Sequence, residues 1–181
     1  MLLHKSIEHD SRVRRAAKAL QQAGHEVTVV HLPRNPGELD GELDGYRVVS
    51  ATPPAWVRRR LPFHLYRLVF LVAFVRALWR LRPDAVHAHD CAMLVPGFIG
   101  SRLRRPRARL VYDSHEYAVG VAWRTRSWAA LVWAIERIVV PRCDAVITAL
   151  QRGTTTRSIA HTSAAHERVL QATPTAYSCE S

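Results

Sequence analysis

Short apolar runs alternate with longer stretches of helical period along most of this chain. Ser11 to Gly24 places Val13, Ala16, Ala17, Leu20 and Ala23 at helical spacing. Asp10 or Ser11 can cap its start and Gly24 can end it. The apolar stub Met1 to His4 precedes this helix. Glu26 to Leu32, rich in β-branched residues, follows it and reads as a buried strand, so the front of the chain is a β-α-β unit. Pro33 to Gly45 carries Pro, Gly, Asn and Asp and reads as a loop leading to a short strand around Arg47 to Ser50, and Pro53-Pro54 breaks the chain again. Leu61 to Leu81 is apolar almost all round, interrupted by Arg67, Arg76 and Arg80, which predicts a helix packed on a sheet.

After Pro83 the alternation repeats: strand Ala85 to His89, helix about 92–103, strand Arg109 to Asp113, helix about 127–140, and strand Ala145 to Thr148. Short apolar strands alternating with amphipathic helices predict an α/β fold, a doubly wound parallel sheet with helices on both faces. A chain of 181 residues, 48% hydrophobic, can bury one such core and is too short for two full-sized α/β domains. From Gln151 to Ser181 the chain is rich in Thr, Ser and Ala with no sustained apolar period. The expectation is a domain over 1–150 and a poorly ordered tail over 151–181.

The net charge of +11 favours an anionic partner: phosphate groups, nucleic acid or an acidic membrane surface. No nucleic-acid recognition motif accompanies the charge, so nucleic acid is not expected. Trp56 to Arg82 interleaves aromatic residues with arginines. Core packing with the arginines reaching solvent is the favoured reading, and a basic aromatic face against lipid headgroups the alternative. Leu68 to Trp79 is interrupted by Arg76 and falls short of the roughly 20 residues of a membrane span. Cys91, Cys143 and Cys179 lie far apart in no ligand-like spacing, which argues against a disulfide framework or zinc site and fits a reducing cytosol.

Candidate chemistry gathers where two strands stop, at Asp84-Ala85-Val86-His87-Ala88-His89-Asp90 and Leu110-Val111-Tyr112-Asp113-Ser114-His115-Glu116. Ligands of open parallel sheets bind beyond the carboxyl ends of strands. His115 can donate to a sugar hydroxyl or phosphate oxygen, or simply satisfy loop backbone groups. His87 and His89 share one face of their strand. A core-packed His87 with a rim His89 is favoured over a metal pair, and no metal is expected. The turn His9-Asp10-Ser11-Arg12 sits where backbone amides and a helix dipole can face an anion, but it lacks the G-x-G-x-x-G spacing of a dinucleotide site.

Together these residues resemble a family, the N-terminal domain of retaining glycosyltransferases with the Rossmann-like GT-B fold, of the family 4 type. The resemblance rests on His9 to Arg15, Ala23 to Val29, Arg82 to Asp90, Val111 to Glu116, Glu136-Arg137 and Cys143 to Thr148, in order from about residue 3 to 149. It implies an acceptor-side domain working with a second domain that holds a nucleotide-sugar donor, and a glycan, lipid or small molecule as acceptor. It implies that His115 lines the catalytic centre, that His89, Asp90 and Glu116 lie on the acceptor side, and that the turn Asp10, Ser11, Arg12 faces the donor phosphates, with no metal or other cofactor. The family's donor half carries a Gly-rich turn, a basic residue for the diphosphate and two glutamates seven residues apart, and nothing after Leu150 supplies them. The expectation is therefore a chain truncated before its donor domain, inactive alone, with a frame shift near codon 150 or a separate donor-binding partner as the explanations. A cytoplasmic enzyme, peripheral at the inner face of an anionic membrane, would suit the basic surface. The rival is a non-enzymatic α/β module that binds an anionic ligand or a partner subunit.

Overall fold

The computed structural model describes residues 1–33, 40–51, 53, 57, 60, 62–103, 105–114 and 126–148. Seven strands among them form one sheet: β1 (Leu2–Leu3), β2 (Thr28–His31), β3 (Gly41–Leu43), β4 (Tyr46–Ser50), β5 (Ala85–His89), β6 (Arg109–Ser114) and β7 (Ala145–Thr148). Their order is β3-β4-β2-β1-β5-β6-β7, with every pairing parallel except β3 against β4. The helices are α1 (Ser11–Gln22), α2 (Phe63–Leu81), α3 (Asp90–Arg102) and α4 (Arg126–Val139). This is the doubly wound α/β arrangement expected from the alternation, and the strand order reverses between β1 and β5.

Buried apolar clusters cover both faces of the sheet. Leu3, Val13, Ala17, Val29, Tyr46 and Val48 pack on the α1 side. Leu2, Phe74, Leu78, Val86, Met93 and Leu110 pack on the side of α2 and α3. Successive strand residues point to opposite faces, so the two-residue β1 feeds both cores through Leu2 and Leu3.

Local chemistry sets the ends of α1. The Asp10 carboxylate accepts the amides of Arg12 and Val13, each at 3.2 Å, as an N-cap. At the other end Gly24 takes φ +85°, its amide donating to the Gln21 carbonyl at 2.9 Å and that of His25 to the Leu20 carbonyl at 3.1 Å, a Schellman closure.

Two expectations need correction. Gly41–Leu43, inside the stretch read as a loop, is a strand, joined to β4 by Asp44 and Gly45 with φ of 51° and 87°. Two left-handed residues make the tight hairpin turn whose twist matches that of the strands. Helix α2, expected to pack as core, buries Phe74 and Leu78 on the sheet but leaves Leu65, Leu68, Val72 and Trp79 exposed on its far side. A single helix layered on a sheet has only one face to bury.

Helix α3 lies close to its neighbours. A Cβ at Gly100 would overlap the Leu78 side chain of α2, and one at Gly97 would stand 3.2 Å from Ala88 of β5. The Asp144 carboxylate accepts the Leu110 amide at 2.8 Å and the Arg107 guanidinium at 2.9 Å, tying the start of β7 to β6. His115, Glu116, Cys179 and the 151–181 tail lie outside the described residues.

Candidate active site

The parallel strands end together, so whatever follows each strand collects on one edge of the sheet. His4 and Lys5 follow β1, His31 ends β2, Ser50 ends β4, His89 ends β5 and Asp113-Ser114 closes β6. Where strand order reverses, the connections leave in opposite directions and a crevice opens. Here that point lies between β1 and β5, so His4 to Asp10 face His89 and Asp90.

His89 and Asp113 are brought side by side by the β5–β6 register. His89 Nδ1 lies 3.0 Å from Asp113 Oδ2. A carboxylate accepts only, so Nδ1 carries a proton, and in the neutral ring Nε2 is an acceptor. That Nε2 is buried with no hydrogen-bond partner among the described residues. His89 is 1% exposed rather than at the rim, and His87 is half-buried with its Nε2 enclosed. The reason is local: α3 begins at Asp90 with no intervening loop, leaving His89 no rim to occupy. The two imidazoles stack with centroids 4.1 Å apart. Burial, with the neighbouring His89, pushes His87 down to about 3, so its ring is neutral at physiological pH. Among the described residues, His87, His89 and Asp113 offer one ligand atom each within 4.8 Å of one another and could hold a metal ion.

Asp90 carries the backbone from strand to helix in a left-handed conformation, φ +67°. Aspartate tolerates this better than most residues, and such outliers concentrate at functional sites. The turn aims its carboxylate across the switch point, where Oδ2 lies 3.4 Å from His4 Nδ1.

Asp10 is buried, and its second oxygen pairs with Lys5 Nζ at 3.1 Å and Arg12 Nη2 at 3.4 Å. Burial pushes its carboxyl up, but the Val13 amide together with Lys5 and Arg12 outweighs this and holds it below the ordinary value. The amides at the start of α1 are therefore already occupied by a carboxylate, while two cations stand beside it. A cleft of about 590 Å3 opens alongside, lined by His4, Lys5, Ser6 and His9, by Leu32 beyond β2, and by Tyr66 of α2.

Of the residues picked from sequence, the structure brings Asp10, Ser11 and Arg12 to the same sheet edge as His89 and Asp90. His115 and Glu116 follow the end of β6 in sequence, outside the described residues. Sequence reasoning did not select His4, Lys5, Tyr66 or the pairing role of Asp113. Asp113 carried a signal, since it lies two residues before His115 on a strand read as reaching the cleft. Tyr66 carried none, being one aromatic residue in an aromatic-rich helix.

Among solved structures the chain is similar to sucrose-phosphate synthase from Thermosynechococcus elongatus, at 18% identity and a TM-score of 0.55 over 84% of this chain and 77% of that one, a likeness of fold. No curated protein sequence matches it. The family model for a glycosyl transferase 4-like domain matches residues 10–166. With that match across most of its length and the strand-end chemistry on the expected fold, the chain belongs to the glycosyl transferase 4-like domain family.

Proposed function

We propose that this domain is the acceptor-side half of a retaining glycosyltransferase, moving a sugar from a nucleotide-sugar donor to a glycan, lipid or small-molecule acceptor. The observation that carries this reading is the meeting of His4, Lys5, Asp10, Asp90 and the His89–Asp113 pair at the switch point of the sheet. Family membership implies a donor and an acceptor in general terms, and supports the choice of reaction class.

In this reading His115 is the catalytic residue nearest the transferred sugar, and His89, Asp90 and Glu116 hold the acceptor. Asp113 fixes the His89 tautomer, leaving the Nε2 lone pair to accept from a substrate hydroxyl. The turn of Asp10, Ser11 and Arg12 lies toward the donor phosphates. Because Asp10 occupies the helix amides itself, positive charge for a diphosphate comes from Lys5 and Arg12, which Asp10 anchors. The reading assigns no metal: protein cations offset the charge of the leaving diphosphate. Cys91 and Cys143 are free thiols whose pKa values burial pushes up to about 12 and about 11, and a cytoplasmic setting is part of the reading.

The 181 residues alone do not transfer sugar at an appreciable rate in this reading, because residues 151–181 carry neither a Gly-rich turn nor two glutamates seven apart. The test is to join residues 1–150 to the donor-binding domain of a family 4 enzyme and assay transfer from nucleotide sugars. His115→Ala is expected to lower kcat by roughly 100-fold or more with the fold intact. Unchanged kcat in that variant would overturn the role given to His115.

A further inference from the structure

Nine large hydrophobic side chains are exposed among the described residues, and seven of them lie on two helices: Leu65, Leu68, Val72 and Trp79 on α2, and Leu131, Trp133 and Ile138 on α4. On α2 the four fall at i, i+3, i+7 and i+14, one stripe opposite the face that buries Phe74 and Leu78. Arg76 occupies the i+11 position of the same stripe and is exposed, as is Arg80 beside Trp79. Helix α2 contains three arginines and no acidic residue. The N-terminal halves of the two helices are linked by the Arg67 guanidinium, 3.9 Å from the centroid of a Trp128 ring.

We infer that the outer face of α2 docks on an anionic lipid surface. An unpartnered apolar stripe alone could be covered by several things, and its charge decides among them. Leucine and valine at the centre, tryptophan toward one end and arginines within and beside the stripe form the combination that buries side chains at the headgroup boundary while placing guanidinium groups among phosphates. The chain's +11 charge acts in the same direction. No described helix is long and apolar enough to cross a membrane. Tyr66, between Leu65 and Arg67, lines the cleft beside His4 and Lys5, so the docked helix also contributes to the wall of the candidate site. The inference stands on the helix face and does not depend on the sugar-transfer reading.

The test is flotation of the full 181-residue chain with vesicles of phosphatidylcholine alone, and of phosphatidylcholine mixed equally with phosphatidylglycerol. The chain is expected to float with the anionic vesicles only, and less so as salt is raised. Arg76→Gln with Arg80→Gln should weaken partitioning roughly 30-fold, from about 1 kcal/mol per arginine. Leu68→Gln with Val72→Gln should weaken it at least roughly tenfold, since both positions are already exposed and the change removes only lipid burial. Circular dichroism of both double variants is expected to match the parent. Failure of the parent to float with anionic vesicles would overturn the inference, as would flotation unchanged in both well-folded variants. So would a stable dimer dispersed by Leu68→Gln with Val72→Gln, because the face would then belong to a second copy of the chain.

Discussion

Asp10 does two jobs with one carboxylate: one oxygen caps α1 and the other gathers Lys5 and Arg12. Replacing it with alanine should cost about 1 kcal/mol of stability from the lost cap, measured by urea unfolding. Its folded-state pKa is depressed, so its contribution is fully present above the ordinary value of 3.8 and fades as pH falls below it. His87 acts at higher pH. With its ring pushed down to about 3 from an ordinary 6.5, the unfolded chain binds the proton that the folded chain refuses. Stability should therefore rise with pH between about 3 and 6.5 at up to about 1.4 kcal/mol per unit, and His87→Leu should flatten that slope in pH-dependent urea titrations. The His89–Asp113 pair makes a third case. Asp113→Leu should cost roughly 1–3 kcal/mol by stranding a buried Nδ1–H. His89→Leu on that background should then cost less than it does alone, a non-additivity that a double-mutant cycle reads directly.

At the scale of elements, α3 is the most tightly constrained, because Gly100 lets it approach Leu78 of α2 and Gly97 lets it approach Ala88 of β5. Gly100→Val should destabilise the domain by roughly 1–3 kcal/mol through overpacking, seen as a lowered urea midpoint with unchanged slope. Most elements were legible in the sequence because each is periodic within itself. The run Val13, Ala17, Leu20 gave α1, and the apolar runs before His89 and Asp113 gave β5 and β6. The hairpin of β3 and β4 was missed although Asp44-Gly45 is its signal, because the surrounding Pro, Gly and Asp residues read equally well as loop. The meeting of His4 with Asp90 was not legible, since it depends on Leu2 pairing with Ala88 across the middle of the sheet. Local periodicity carries no information about such a pairing. The rim position expected for His89 was wrong because sequence spacing shows that two side chains share a face, while burial depends on how soon the next helix starts.

At the scale of the whole molecule, strand order, charge and exposed surface divide the labour. The reversal between β1 and β5 collects polar groups on one sheet edge. Helix α2 turns an apolar, arginine-bearing face outward. The family match and the likeness of fold agree with the first of these features, and the flotation experiment addresses the second. The decisive experiment is an assay of sugar transfer from a panel of nucleotide sugars by the 181-residue chain alone and by residues 1–150 joined to a family 4 donor-binding domain. Turnover is expected in the joined protein and none above background in the chain alone. Turnover by the chain alone, or none in a well-folded joined protein that binds its nucleotide sugar, would contradict the acceptor-side reading.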